Sequence, residues 1–192
     1  MENQKNLKKI LQNINTDVYR LFIFDFDGTI CEDLSIDWVG LKQKLCALVG
    51  ESFKNQKVNE ILYKIKTQNP NYQISQIYKI IESFEKPAIN KAIIRPEMEG
   101  FIHKIKLQKK KTSIFSNNMR KTILTILKKF KLLEKFDLVI AKDDVLKYKP
   151  DPEGLIKITD FLKIDRNKVL FIDNEQIDFL AGQKAIITSI LI

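Results

Sequence analysis

An α/β fold, a doubly wound parallel sheet carrying an inserted α-helical subdomain, is what this sequence predicts, on three observations. Short β-branched and aromatic runs recur along it, Leu21–Phe24, Thr112–Phe115 and Val169–Ile172 among them, each followed at once by polar residues. Runs of that kind read as strands buried on both faces, as in parallel sheets. Helical spacing separates them, and strands alternating with helices imply a doubly wound arrangement. Between the first run and the second, roughly 60 residues show helical spacing only, too much for a simple crossover connection.

The elements follow in order. Residues 3–15 place Leu7, Ile10, Leu11 and Ile14 at helical intervals, which predicts an extra helix against the core. Leu21–Phe24 is the first strand. From Ile36 to about Ile94, apolar residues fall three and four apart: Trp38, Leu41, Leu45 and Leu48, then Ile61, Leu62 and Ile65, then Ile74, Ile77, Ile80, Ile81 and Phe84. Gly50, Asn69-Pro70 and Lys86-Pro87 punctuate these helices. The predicted organisation is an α/β core from residues 1–34 and 95–192, with a helical insert at 35–94. Arg95-Pro96-Glu97 opens the next helix with proline at its first position. Strand Thr112–Ser116, helix Asn118–Phe130, strand Leu138–Ala141, a helix after Pro152, strand Val169–Asp173, a helix from Glu175 and strand Ile186–Ile192 complete the chain.

Composition narrows the class. Of the 192 residues, 44% are hydrophobic and 30% charged, which is ordinary for a soluble globular domain. No apolar run reaches the roughly 18 residues of a membrane helix, and the start of the chain lacks the apolar segment of a secretory signal. A cytoplasmic protein without a membrane partner is the expectation. Cys31 and Cys46 have no metal-ligand spacing, so both should be reduced and buried. The net charge of +9 invites a nucleic-acid reading. Nearly all of that charge is lysine scattered along helices, whereas nucleic-acid sites favour arginine and aromatic platforms, so the pattern argues against such a partner. The Lys109-Lys110-Lys111 run reads as a helix end, where cations suit the dipole.

Four strand ends deliver polar residues toward one edge of the expected sheet. Asp25 and Asp27, in Asp25-Phe26-Asp27-Gly28-Thr29, follow the first strand, and the period of two turns both carboxylates to one side. Two anions placed together call for a cation. Ser116-Asn117-Asn118 follows the second strand and suits a helix N-terminus. Lys149 stands in Lys147-Tyr148-Lys149-Pro150-Asp151-Pro152, and Asp173, with Asp178 beyond it, ends Val169–Ile172. Ligands of open α/β sheets bind at the carboxyl ends of strands.

In this order and spacing the four segments resemble the motifs of the haloacid dehalogenase-like hydrolases, and Lys149-Pro150-Asp151-Pro152-Glu153-Gly154 is especially similar to their phosphoglycolate-phosphatase-like branch. The resemblance implies a Mg²⁺-dependent phosphatase of small phosphorylated metabolites. It implies Asp25 as the nucleophile that becomes an aspartyl-phosphate and Asp27 as general acid and base. Ser116, Asn117, Asn118 and Lys149 would hold the phosphoryl group. Asp25, the Asp27 carbonyl and Asp173 would ligate the metal, and Asp178 would stand behind them. An acid at Asp27 favours oxygen-linked phosphate over a halide or a phosphonate. The absence of histidine from Cys31–Gly40 argues against a mutase. His103, on a helix at core-type spacing, is expected to be structural. The insert at 35–94 stands where the family places a cap. Trp38, Lys42, Lys44, Tyr63, Lys64, Lys66 and Tyr72 are its candidate contacts, though each also reads as helix coating, and Arg120 is a further candidate contact. Against the family pattern, Ile172 and Ile186 stand where glycine is usual, the first with the potential to crowd the site, and Glu32 stands where Asp is common. The alternatives are a phosphatase acting on a nucleic-acid 3′-phosphate or a phosphoprotein, and a non-catalytic binding protein of the same fold.

Overall fold

The run Leu21–Phe24 forms β1 at the centre of a five-stranded, wholly parallel sheet. This computed structural model describes residues 2–50, 54–68 and 74–192. The expected break at Asn69-Pro70 and the candidate Tyr72 lie outside the described residues. β2 (Lys111–Phe115) and β3 (Leu138–Ile140) extend the sheet on one side of β1, and β4 (Val169–Asp173) and β5 (Thr188–Leu191) on the other. The order β3-β2-β1-β4-β5 reverses direction beside β1, and such a switch point opens a crevice at the carboxyl ends of the strands.

The pleat sorts the apolar residues. Phe22, Phe24, Ile114, Leu170 and Ile172 join one core with side chains from α1 (Glu2–Asn13), α5 (Pro96–Leu107) and α6 (Arg120–Lys129). Leu21, Ile23, Phe115, Val169 and Phe171 join the other with α7 (Glu153–Leu162) and α8 (Gln176–Ala185). Ile172 therefore packs inward beneath the sheet and does not crowd the site.

Helices α2 (Trp38–Val49), α3 (Val58–Gln68) and α4 (Ile74–Lys91) occupy the long connection between β1 and β2. Their buried Leu41, Leu45, Ile61, Leu62, Ile65, Ile77 and Ile81 merge with the second core. Where the chain leaves and rejoins the sheet domain, Cys31 and Ile94 pair as an antiparallel bridge, with Glu32 N–H on the Ile93 carbonyl at 2.9 Å and Arg95 N–H on the Ile30 carbonyl at 3.0 Å.

Several expectations change in detail. Pro87 does not end its helix: α4 runs through it to Lys91. Proline there forfeits one backbone hydrogen bond, and burial of Ala88, Ala92 and Ile94 against the first core offsets the loss. The lysine run lies past the end of α5: Lys110 Nζ donates to the Tyr19 carbonyl at 2.8 Å, and Lys111 pairs with Asp137 at 2.7 Å. His103 is exposed beside Glu99 on α5 and does not face the core. The first turn expected at Asn118 is a loop, and α6 starts at Arg120. Cys31 and Cys46 are buried and free, as expected. None of the described helices is long and apolar enough to cross a membrane.

Candidate active site

β1 and β4 are neighbours in register, Phe24 beside Ile172, so the residues that follow them emerge side by side. Asp25 N–H extends the ladder by bonding the Ile172 carbonyl at 2.9 Å, which fixes Asp25 next to Asp173. Lys149 Nζ lies between them, 2.7 Å from Asp25 Oδ1, 2.9 Å from Asp173 Oδ2 and 2.8 Å from Asp178 Oδ2. All four side chains are buried, and the rings of Phe115 and Phe171 flank the ammonium at 5.7 Å each. Burial alone would pull the Lys149 pKa down, but the three carboxylates outweigh it and hold it well above the ordinary lysine value. Burial pushes Asp25 up, to about 8, against the pull of Lys149, and it raises Asp178 as well.

One ammonium does not balance three carboxylates. Asp25, Asp173 and Asp178 each bring an oxygen to within 4.8 Å of the others. A buried set of hard oxygen donors with surplus negative charge fits a divalent cation. Asp178 thus stands beside Asp25 and Asp173, its Oδ2 on the same ammonium.

Asp27 is turned away from this quartet. Its Oδ1 accepts the Leu34 N–H at 2.8 Å, and burial is the main reason its carboxyl pKa is raised. Gly28 beside it has φ +78°, a conformation side chains resist, and a Cβ there would meet Asn174 Nδ2 at 2.3 Å. Asn174 also accepts from Thr29 Oγ1 at 3.0 Å, which ties the loop after β1 to the loop after β4.

The third wall is the loop after β2. Ser116 Oγ donates to Asn118 Oδ1 at 2.9 Å, Asn117 Oδ1 accepts the Lys149 N–H at 3.2 Å, and the Asn118 carbonyl accepts the Lys142 N–H at 2.9 Å. From α4, the fully buried Glu85 receives the Met119 N–H on both carboxylate oxygens, at 3.2 and 3.1 Å, anchoring this loop to the inserted helices.

The family model of the haloacid dehalogenase-like hydrolases matches residues 22–192. The chain belongs to this family. It is 28% identical over 173 residues to a haloacid dehalogenase-like hydrolase domain-containing protein of Arabidopsis thaliana, covering 85% of this chain and 66% of that one. The chain thus spans just under two thirds of that relative. It is 24% identical over 192 aligned positions to a phosphoglycolate phosphatase of Psychrobacter arcticus, covering 86% of this chain and 80% of that one. A solved haloacid dehalogenase-like hydrolase of Bacteroides fragilis shares the fold at a TM-score of 0.66 and 24% identity, over 89% of this chain and 86% of its own.

In this member of the family a cavity of about 1190 Å³ opens over the strand ends. Asp25, Asp27, Ser116, Asn117, Asn118, Lys149 and Asp178 all line it, and Asp173 stands behind Lys149. Of the candidates from the insert, Trp38 and Lys42 reach the wall. Lys66 does not: its amine donates to the Val145 carbonyl at 2.7 Å between the rings of Tyr78 and Tyr148. Lys44, Tyr63 and Lys64 are not part of the wall. Arg120 is likewise committed elsewhere, to Asp144 at 2.6 and 3.0 Å and to the Val139 carbonyl at 2.6 Å. Sequence reasoning missed Asn174, Asn59, Lys57, Arg95 and Lys142 on this wall. Asn174 could have been suspected from its place next to Asp173; Lys142, in Ala141-Lys142-Asp143-Asp144, looks like any surface lysine.

Proposed function

We propose that this chain is a Mg²⁺-dependent phosphatase that hydrolyses a small phosphorylated metabolite through an aspartyl-phosphate on Asp25. The observation that carries the reading is the convergence of Asp25, Asp173 and Asp178 on Lys149 at one sheet edge, 2.7 to 2.9 Å from the ammonium, with Asp27 set apart from them. An Asp25 carboxylate oxygen attacks phosphorus, and the bond from phosphorus to the leaving oxygen breaks. Asp27, whose raised pKa suits a proton donor, protonates the departing alcohol and then takes a proton from the water that attacks the aspartyl-phosphate. Inorganic phosphate leaves and Asp25 is regenerated.

Asp25, Asp173 and the Asp27 carbonyl would hold Mg²⁺, with Asp178 orienting them. The ion would supply positive charge against the phosphoryl oxygens. Ser116, Asn117 and Asn118 hold the phosphoryl group, and Lys149 offsets its charge together with that of the nucleophile. Positioning and neutralisation of this kind make up most of phosphoryl-transfer catalysis. Residues 35–94 form the cap over a core of 1–34 and 95–192. The paired chains at Cys31 and Ile94 support that division, and Trp38 and Lys42 on the cavity wall support a role in excluding water and reading the leaving group.

The test is hydrolysis of p-nitrophenyl phosphate and a metabolite panel, with and without Mg²⁺. Turnover should need the ion and fall at least about 1000-fold in Asp25→Asn. Activity that survives this substitution overturns the mechanism.

A further inference from the structure

Lys142 is an unusual residue on the cavity wall. It directly follows β3 and Ala141, its backbone is tied to Asn118 in the phosphoryl-holding loop, and only 1% of its surface is exposed. Among the described residues its Nζ donates one hydrogen bond, to Asn59 Oδ1 of α3 at 3.1 Å. The Trp38 ring of α2 lies 5.0 Å from the ammonium and the Tyr148 ring 5.9 Å. Among the described residues no carboxylate forms an ion pair with it. Glu85 and Asp143 act on it only at longer range, and the Glu85 oxygens are committed to Met119. A buried ammonium with one neutral acceptor is costly. Burial accordingly pulls its pKa down, to about 8, so it keeps most of its charge near neutral pH. Such a group suits an anion that enters the cavity and completes its hydrogen bonds. Elsewhere the cavity wall carries both signs, the cations Lys42, Lys57 and Arg95 and the acidic Asp33 and Glu175.

We propose that Lys142, with Asn59 and Trp38, forms a second anion subsite, so that the substrate is a phosphomonoester bearing a further anionic group, a carboxylate or a second phosphate. The proposal rests on the phosphatase reading and narrows its substrate class. The core contributes the charge and the inserted helices its surroundings, so an anion there ties the two parts together over the bound ester.

The experiment compares three esters of one short skeleton with Mg²⁺ present: 2-phosphoglycolate, ethylene glycol bisphosphate and 2-hydroxyethyl phosphate. The wild type should favour at least one of the two anionic esters over the hydroxyl ester by about 10-fold or more in kcat/KM, and which one tells carboxylate from phosphate. Lys142→Met should collapse that ratio. Asn59→Asp, which pairs the ammonium in place, should do the same and serves if Lys142→Met folds poorly. Lys128→Met removes an equal charge from the exposed side of α6 and should leave the ratio alone. A wild-type ratio near one, or a ratio that persists in both subsite variants, overturns the proposal. Failure of the phosphatase reading looks different: no ester is turned over. In that event the fluorescence of Trp38, the chain's single tryptophan, reads binding directly. A saturable change with phosphonoacetate that methylphosphonate does not cause, and that Lys142→Met abolishes, keeps the subsite; an equal response to both probes, or none, overturns it.

Discussion

Lys142 and Lys149 lie on one short segment, line one cavity and are almost equally buried, yet their surroundings push them in opposite directions. Lys149 has three carboxylates within 2.9 Å and a pKa well above the ordinary value. Lys142 has an amide oxygen and two rings, and burial brings it down to about 8. Burial is the same for both; the difference is the partner. Lys149 is bound into the machinery at the strand ends. Lys142, at the junction with the inserted helices, carries a charge that the fold itself does not use.

The largest effect should come from breaking the first environment. Lys149→Met leaves Asp25, Asp173 and Asp178 facing one another without a counter-charge, and removing one partner from a buried charged cluster costs about 3–5 kcal/mol. Turnover of any phosphoester should fall at least about 1000-fold. The stability deficit should also grow with pH. Carboxylates whose folded pKa is raised above the ordinary 3.8 keep protons that the unfolded chain has released, so stability falls as pH rises through that range. Mg²⁺ should restore stability to this variant more than to the wild type, because it neutralises the same carboxylates, without restoring turnover. Urea midpoints at pH 5 and 8, with and without the ion, measure both. A variant as stable as the wild type at pH 8 without the ion would break the comparison.

Lys142→Met should move stability the other way. The unfolded chain holds the lysine proton up to about 10.5 and the folded one releases it near 8, so the unfolded state binds more protons between those values. Wild-type stability therefore gains from this group as pH rises from 8 to 10.5, and the full penalty is felt below 8. Removing the ammonium should raise stability at pH 7 by roughly 1–3 kcal/mol, less whatever the Asn59 hydrogen bond contributed, and should flatten that alkaline rise. The urea midpoint across pH 7–10 reads it. Destabilisation at pH 7 would mean that Lys142 serves the fold, and the contrast with Lys149 would fail.

The two environments also differ in how far the sequence disclosed them. Leu21–Phe24 delivers Asp25 and Asp27 to one edge, but the strand parity expected to turn both carboxylates to one side stops at Phe24, and Asp27 turns to the Leu34 N–H instead. Three strand ends are marked by a local change from apolar to polar, so chain order alone assembles Asp25, Ser116 and Asp173 once the sheet is doubly wound. Lys149, nine residues past the end of β3, is legible only from its Lys149-Pro150-Asp151-Pro152 setting. Nothing local marks Lys142. Its burial comes from Asn59 and Trp38, which approach from α3 and α2, and periodicity reports which face a helix buries but not which distant residue that face meets. Pro87 in α4 and the exposed His103 on α5 were misread for the same reason, since packing against the core decides both. The fates of Arg120, taken by Asp144, and Lys66, taken by the Val145 carbonyl, are tertiary too.

Ile186 offers the smallest effect and the sharpest control. It caps α8 at φ +59° and is 80% exposed. A left-handed conformation costs a residue with a Cβ about 1–2 kcal/mol, and a β-branched side chain makes it worse. Glycine removes that strain but gives back part of the gain through the freedom of the unfolded chain. Ile186→Gly should stabilise the protein by about 0.5–1 kcal/mol, seen as a shift in urea midpoint that does not depend on pH. It approaches the gain expected from Lys142→Met without touching the cavity. If added stability as such stiffened the inserted helices and reduced discrimination between esters, Ile186→Gly would narrow the substrate ratio as well. If the ratio depends on the ammonium, Ile186→Gly keeps it and Lys142→Met alone loses it.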